Sequence, residues 1–249
     1  MSYRTRYIAT STLLLFVATA EFYPEVLAAE GLGRVEAFKS FVRDVTEFRA
    51  MGAVVPAFQL LDEVILEQIN ASGVSSANTL NEILQQFATS MASENYIVHR
   101  VQADGEILWI AAYDMGTVFG PSSVRVFASR DGEYVLKETL NYPTEADWSE
   151  LPLDVRIVSE KPTIFLTAFG GSDTRVTRTY LLWEWRKGKP RLLLHKPKLQ
   201  HTSHSVGLNS LEIRYCKETL ERTAICKQMV RETYEVRKRK LRLRFAGPL

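Results

Sequence analysis

Apolar residues in the first third of the chain recur at steps of three and four, the spacing of one helix face. Pro56 suits a first helical turn, Gly73 can end that helix, and Thr79 with Glu82 forms a T-x-x-E capping box. The pattern predicts three amphipathic helices, each burying one face. Their apolar stripes are Val35, Phe38, Val42, Val45 and Phe48; Phe58, Leu61, Ile65 and Ile69; and Leu80, Ile83, Leu84, Phe87 and Met91.

Beyond residue 95 the pattern changes to β-rich runs separated by turns. Asp104-Gly105 and Asp131-Gly132 each lie between two such runs. Asp-Gly favours a hairpin because the tight turn requires positive φ. Further turns are predicted at 159–162 and 187–190 and within 217–222, so the turns are about 26 to 30 residues apart. This spacing predicts an antiparallel meander of about eight to ten strands.

The two patterns together predict an α+β fold, with N-terminal amphipathic helices followed by an antiparallel β-meander. A barrel, a strongly curved sheet and a sandwich all fit the length, whereas a propeller typically needs at least four blades of four strands. We expect a helical region over 21–94 and a β region over 95–249. The helices would cover one face of the meander or an open sheet edge.

The first twenty residues have the pattern of a secretory signal peptide. Arg4 and Arg6 precede an apolar run over 8–17, and Ala18-Thr19-Ala20 offers a small-x-small cleavage site before Glu21. The apolar run is shorter than the ~20 residues of a membrane-spanning helix. We therefore expect an exported protein, periplasmic or secreted, with no transmembrane segment in the mature chain.

The chain has two cysteines, Cys216 and Cys226, in a stretch that otherwise suggests strand and turn. In an oxidising compartment this spacing predicts a disulfide across a short hairpin. The pair lacks the C-x-x-C spacing of redox and metal sites.

Charge is sorted along the chain. Residues 21–160 contain 22 acidic and 9 basic side chains, whereas 161–249 contain 7 acidic and 20 basic ones. The most basic segment, which we call the basic strip, would form one strand with Leu241, Leu243 and Phe245 on the opposite face. The basic strip consists of Arg237, Lys238, Arg239, Lys240, Arg242 and Arg244.

Two interpretations of the basic strip stay open. It binds an anionic surface or an acidic protein, or it is an edge strand that lies against the acidic half and resists aggregation. Nucleic acid is not an expected partner, because the chain has an export signal and no aromatic residues interrupt the strip to stack bases.

Other candidate sites are weaker. An aromatic set in the β region could line a cavity for a small apolar molecule, although core packing explains it as well. His201 and His204 are predicted to lie in a solvated loop, and no metal site is expected. The aromatic set is Trp109, Phe165, Trp183 and Trp185.

No catalytic motif, metal-ligand pattern or nucleotide-binding loop is present in the sequence, and no cofactor is expected. The sequence therefore favours an exported non-enzymatic binding module. The alternatives are a carrier of a small apolar ligand and, less favoured, a hydrolase of cell-envelope polymers.

Overall fold

Three α-helices precede eleven β-strands in the computed structural model, which describes residues 33–48, 50–71, 76–87, 96–114, 122–140, 154–170, 177–219 and 225–249. The predicted signal peptide, Gly73 and Met91 lie outside these ranges. The helices are α1 (Arg34–Phe48), α2 (Val54–Asn70) and α3 (Ala77–Gln85), and a short 3-10 turn, Met51–Ala53, leads into α2.

Most described residues of the predicted apolar stripes are buried, Val35 and Ile83 are half-buried, and Phe48 is exposed. Phe38 and Val42 on α1, Leu61 on α2 and Leu80 on α3 are at most 4% exposed, but Phe48 is 69% exposed. Phe48 is the last residue of α1, and a stripe is buried only where a neighbouring element covers it. No helix in the described ranges has the length and apolar character needed to span a bilayer.

The third helix begins earlier than its capping box predicts. Ser76 is the N-cap, and its hydroxyl accepts a hydrogen bond from the backbone N–H of Thr79 at 3.3 Å. Thr79 therefore lies inside the helix. Ser76 and Thr79 are both residue types that cap helices, and they are three positions apart. The structure uses Ser76, the first of the two, as the cap.

The strands form two antiparallel sheets. The first sheet has the order β1-β2-β3-β4 and the second the order β11-β10-β9-β8-β7-β6-β5. The predicted fold class is confirmed, and the second sheet is a curled half-barrel. The strands are β1 (Tyr96–Ala103), β2 (Glu106–Asp114), β3 (Ser122–Arg130), β4 (Glu133–Leu140), β5 (Asp154–Glu160), β6 (Thr163–Gly170), β7 (Arg178–Arg186), β8 (Lys189–Gly207), β9 (Ser210–Thr219), β10 (Cys226–Arg237) and β11 (Lys240–Pro248).

The Asp-Gly hairpins of the first sheet are as predicted. Asp104 and Asp131 have φ of 46° and 54°, and the glycines that follow have φ of 92° and 93°. Both central residues of each turn therefore occupy the left-handed region, as a type I′ hairpin turn requires.

Strand β8 gives the second sheet its curl. It is 19 residues long and changes partner midway, because its first part pairs with β7 as far as Leu199 and its second part pairs with β9 from Gln200 onward. Lys198 and His201, on either side of this change, both have φ of 45°. His201 and His204 thus lie in a strand, and the loop predicted there is wrong. We call β5, β6, β7 and the first half of β8 the first wing, and the rest of the second sheet the second wing.

Three hydrophobic cores separate four layers. The first core lies between the helices and one face of the first sheet, and it includes Trp109 and Tyr113. The second core lies between the opposite face of that sheet and the first wing, and it includes Ile110 and Phe165. The helices therefore share a core with the first sheet and do not form a separate globule.

The third core fills the inside of the curl. Leu166 and Leu182 of the first wing pack here with Ile213 and Tyr234 of the second wing. Asn209 also donates its backbone N–H to the carbonyl of Val158 at 3.0 Å, which links the β8–β9 turn to the edge strand β5.

A buried ion pair connects α2 to the first sheet. Arg125 Nε lies 3.2 Å from both carboxylate oxygens of Asp62, and Tyr113 donates its hydroxyl to Asp62 Oδ1 at 3.1 Å. The two ionic side chains are 11% and 10% exposed. Burial raises the pKa of Asp62, while the charge of Arg125 and the hydrogen bond from Tyr113 oppose this rise.

The predicted disulfide is present. Cys216 of β9 and Cys226 at the start of β10 are bonded, with their Cα atoms 5.7 Å apart. The bond joins two neighbouring strands of the second wing, and the two cysteines are ten positions apart in sequence.

Replacing both cysteines by serine is expected to lower the free energy of unfolding by about 2–3 kcal/mol, since a cross-link over a loop this short removes that much chain entropy from the unfolded state. Urea denaturation measures the change. Reductant should destabilise the native protein by a similar amount and leave the double-serine variant unaffected. Equal denaturation midpoints for the native and variant proteins would contradict the expectation.

Candidate functional site

The basic strip forms a hairpin instead of the single strand that the sequence predicts. Arg237 ends β10, Lys238 and Arg239 form the turn, and Lys240, Arg242 and Arg244 belong to the edge strand β11. The turn divides the six cations into two groups with different surroundings.

The turn itself has an unfavourable backbone for its residues. Lys238 and Arg239 have φ of 49° and 60°, so both lie in the left-handed region. Hairpin turns of this kind favour Asn-Gly or Asp-Gly, and an ordinary residue in this conformation costs roughly 1–2 kcal/mol. Such strain is found most often at functional sites. The presence of two long cationic side chains at these positions is therefore better explained by what the side chains bind than by the needs of the turn.

A pocket opens beside this turn, at the end of the half-barrel where four hairpin turns meet. Its volume is about 550 Å³. We call it the basic pocket, because five of its lining residues are cationic and two are acidic. The cations are Arg186, Arg191, Lys238, Arg239 and Lys240, the acids are Asp104 and Glu184, and the apolar residues are Pro162, Ile164, Trp185, Leu193 and Leu241.

Both acidic residues of the basic pocket are engaged. Asp104 Oδ2 accepts the backbone N–H of Lys187 at 3.2 Å, which joins the β1–β2 turn to the β7–β8 turn. Glu184 lies 3.9 Å from Arg191. Lys238, Arg239 and Lys240 form no ion pair or side-chain hydrogen bond with any residue in the described ranges. The pocket thus presents an excess of positive charge that the rest of the described chain does not neutralise.

The remaining cations of the basic strip lie on the outer face of the second wing. Arg237 and Arg244 both pair with Glu235, at 2.7 Å and 3.1 Å, and Arg242 is the register partner of Glu235. These contacts are made within the C-terminal half. Among the described residues the strip makes no ion pair with the acidic half of the chain, although Asp104 of that half lines the same basic pocket.

The prediction that Leu243 and Phe245 lie on the same face of β11 is wrong. The ladder between β10 and β11 shifts register between Thr233 and Tyr234, so that Phe245 lies opposite Thr233 while Leu243 lies opposite Tyr234. Phe245 therefore does not share a face with Leu243. Its ring instead lies 4.7 Å from the Arg231 guanidinium. A bulge of one residue exchanges the two faces of a strand, and the sequence pattern gives no sign of it.

The four aromatic residues predicted to line a cavity do not come together. Trp109 belongs to the core under the helices, whereas Phe165 and Trp185 belong to the core between the sheets. Trp183 packs at the margin of that second core and donates its indole N–H to Thr167 at 3.1 Å. Trp109 thus packs on the opposite face of the first sheet from the core that the other three contact.

Two cations of the basic pocket were missed by the sequence analysis. Arg186 and Arg191 flank the Lys187-Gly188 turn, and only the three-dimensional convergence of hairpins places them near Lys238. The available signal was the abundance of basic residues at both turns. No group of three or more metal-ligating side chains converges within the described part of the chain.

Comparison of the chain with known protein families, with curated proteins and with solved structures gives no match.

Proposed function

We propose that the protein is an exported, non-enzymatic binding module that engages an anionic partner through the basic pocket. The observation that carries this proposal is the convergence of five cations from two hairpins, three of them without a partner among the described residues. Lys238 and Arg239 also occupy the two central positions of a strained turn, which Asn-Gly would form more easily.

The charge of the pocket favours an anion over other ligands. Five guanidinium or ammonium groups face two engaged carboxylates, so an anion gains attraction, whereas a cation is repelled. Because the pocket opens at the exposed end of the half-barrel, dissolved salt screens these charges over about 8–10 Å. Binding is therefore expected to weaken as ionic strength rises.

The shape of the pocket indicates how a partner is held. The half-buried Leu193 and Leu241 line it together with the buried Trp185, whose indole N–H donates to Glu106 at 3.0 Å. The guanidinium and ammonium groups supply attraction, and the two half-buried leucines supply apolar contact area. An anionic group that projects from a larger surface fits this arrangement.

Two features of the chain support export. The leader has the signal-peptide pattern, and the Cys216–Cys226 bond is of a kind that persists in oxidising compartments. We propose that the partner is met outside the cytoplasm, either as an anionic surface or as an acidic protein.

Replacing Lys238 and Arg239 by glutamine is expected to weaken binding to phosphatidylglycerol-containing vesicles by roughly tenfold or more. Each basic residue near an anionic surface contributes about 1 kcal/mol. Co-sedimentation of the mature chain at low, physiological and high salt measures the change.

The matched control is Arg242→Gln with Arg244→Gln, which removes the same charge from the outer face. Its effect should be smaller, because Arg244 is already paired with Glu235. A polyglutamate column run in parallel distinguishes an acidic polypeptide from a lipid surface as the partner. Binding that is insensitive to salt, or equal losses in the two double variants, would count against the basic pocket.

A further inference from the structure

A second pocket lies at the opposite end of the first wing. The basic pocket is found where β7 ends, whereas this one is found where β7 begins, beside the start of β5 and the end of β8. Its volume is about 380 Å³. We call it the polar pocket, since Val206 is its one apolar lining residue, and no residue lines both pockets.

A chain of polar contacts runs through the wall of the polar pocket. Arg156 Nε lies 3.0 Å from Asp154 Oδ1, and Asp154 Oδ2 lies 3.0 Å from His204 Nε2. The other ring nitrogen of His204, Nδ1, lies 3.5 Å from Arg178 Nη1. In the neutral imidazole these contacts require Nε2 to donate to Asp154 and Nδ1 to accept from Arg178.

The carboxylate at the centre of this chain stays charged. Burial opposes the charge of Asp154, but the hydrogen bond from His204 and the charge of Arg156 outweigh burial and lower the pKa of Asp154. A single carboxylate thus orients one guanidinium directly and the second through the imidazole.

The imidazole is itself held in place from behind. The His204 side chain is 7% exposed, and its ring packs edge-on against Tyr180 with the ring centres 5.3 Å apart. The Tyr180 hydroxyl is hydrogen-bonded to Thr202 at 2.9 Å. Burial raises the pKa of Tyr180, and the nearby Arg178 and Thr202 oppose this rise. Arg178 is therefore positioned by buried neighbours before any ligand arrives.

We propose that the polar pocket binds a small hydrophilic oxyanion, a carboxylate or a phosphate, between Arg156 and Arg178. Each guanidinium has five N–H donors and uses only part of them on Asp154 or His204, so the others are available to a ligand. Two guanidinium groups and one carboxylate give the lining a net positive charge. Hydroxyl-bearing residues, namely Thr202, Ser203 and Ser205, complete it.

The lining distinguishes this ligand from the partner of the basic pocket. The near absence of apolar lining disfavours an acyl chain or an aromatic group. Because both guanidinium groups are oriented in advance, little side-chain entropy is lost on binding. An inorganic phosphate and a sugar carboxylate share the required chemistry, and they differ in whether hydroxyl groups accompany the anion.

Titration of the mature chain with sodium phosphate and, separately, with sodium glucuronate tests the proposal. The signals of the Arg156 and Arg178 Nε–H groups, followed by two-dimensional NMR, should shift saturably with at least one of the two probes. Arg178→Gln should weaken that binding at least tenfold, and Arg191→Gln in the basic pocket should leave it unchanged. A preference for one probe identifies the source of the oxyanion.

Two further measurements keep the test decisive. Arg156, whose side chain is 58% exposed, provides a second variant, Arg156→Gln, in case Arg178→Gln does not fold. The Lys238→Gln, Arg239→Gln variant should bind both probes at the polar pocket as the native chain does, so this proposal and the proposed function fail separately. The absence of any saturable shift, or native affinity in both arginine variants, would overturn the proposal.

Discussion

Replacing Asp62 by alanine is expected to lower the free energy of unfolding by about 3–5 kcal/mol, because the change leaves the guanidinium of Arg125 buried without its counter-ion. Arg125 lies between α2 and the first sheet, over the ring of Phe58 at 5.3 Å. Its other described hydrogen bonds go to the hydroxyl groups of Ser123 and Thr139, which carry no charge. Urea denaturation measures the loss. The slope of the unfolding free energy against urea concentration is compared between the native protein and the variants.

A double variant separates charge from packing. Asp62→Leu with Arg125→Met removes both ions and keeps apolar volume at the interface, so it should recover most of the stability lost by Asp62→Ala. The exposed pair of Arg34 and Glu67 is the control, and Glu67→Ala should cost less than about 1 kcal/mol. A small loss for Asp62→Ala, or a double variant less stable than the single one, would show that the buried pair does not act as described.

Replacing Lys238-Arg239 by Asn-Gly is expected to change stability and binding in opposite directions. Asn and Gly adopt the positive φ of this turn readily, so the free energy of unfolding should rise by about 1–2 kcal/mol. In a chain of this size that gain corresponds to roughly 2–8 °C in melting temperature. Binding to anionic vesicles should fall as it does for the Gln-Gln variant, because the same two charges are lost. Thermal melting and vesicle co-sedimentation measure the two effects.

The Gln-Gln variant is the matched comparison, since it removes the same charges but keeps side chains at both positive-φ positions. The two variants should bind alike and differ in melting temperature. Equal melting temperatures would show that the turn carries no strain. Native binding by the Asn-Gly variant would show that Lys238 and Arg239 are not part of the site.

The sequence predicted most of the elements, because most depend on local signals. Helical stripes, such as the two that contain Leu61 and Leu80, identified the faces that are buried. Asp104-Gly105 and Asp131-Gly132 identified hairpins, since their residues suit the φ values that the turns require. The disulfide was predicted from the expected export of the chain and the spacing of its two cysteines, and it is present.

The turn at Lys238-Arg239 could not be predicted in the same way, because neither residue is typical of a type I′ turn. The segment was interpreted as one continuous strand for that reason. The bend in β8 near Lys198 and His201 was missed on the same ground, since ordinary residues hold positive φ there as well. A prediction from residue types uses local preference alone, so it fails where tertiary structure imposes a backbone conformation that the local residues disfavour.

The candidate sites depend on contacts between distant parts of the chain. Nothing near Arg186 in sequence indicates that it faces the β10–β11 turn, and nothing near His204 indicates that Asp154 lies 3.0 Å away. Asp62 likewise interrupts an apolar stripe without any local sign of Arg125. The sequence could identify an excess of cations but not the surfaces on which they meet.

The length of β8 has a consequence for both pockets. The first half of this one strand carries Arg191 of the basic pocket, and its second half carries His204 of the polar pocket. Arg191 is aligned by the ladder with β7 and His204 by the ladder with β9, so a slip of one residue in either ladder would turn only the side chain at that end to the opposite face. Register shifts within β8 separate the two ladders, so the two ends of the molecule are aligned by separate choices of register although one strand carries them both.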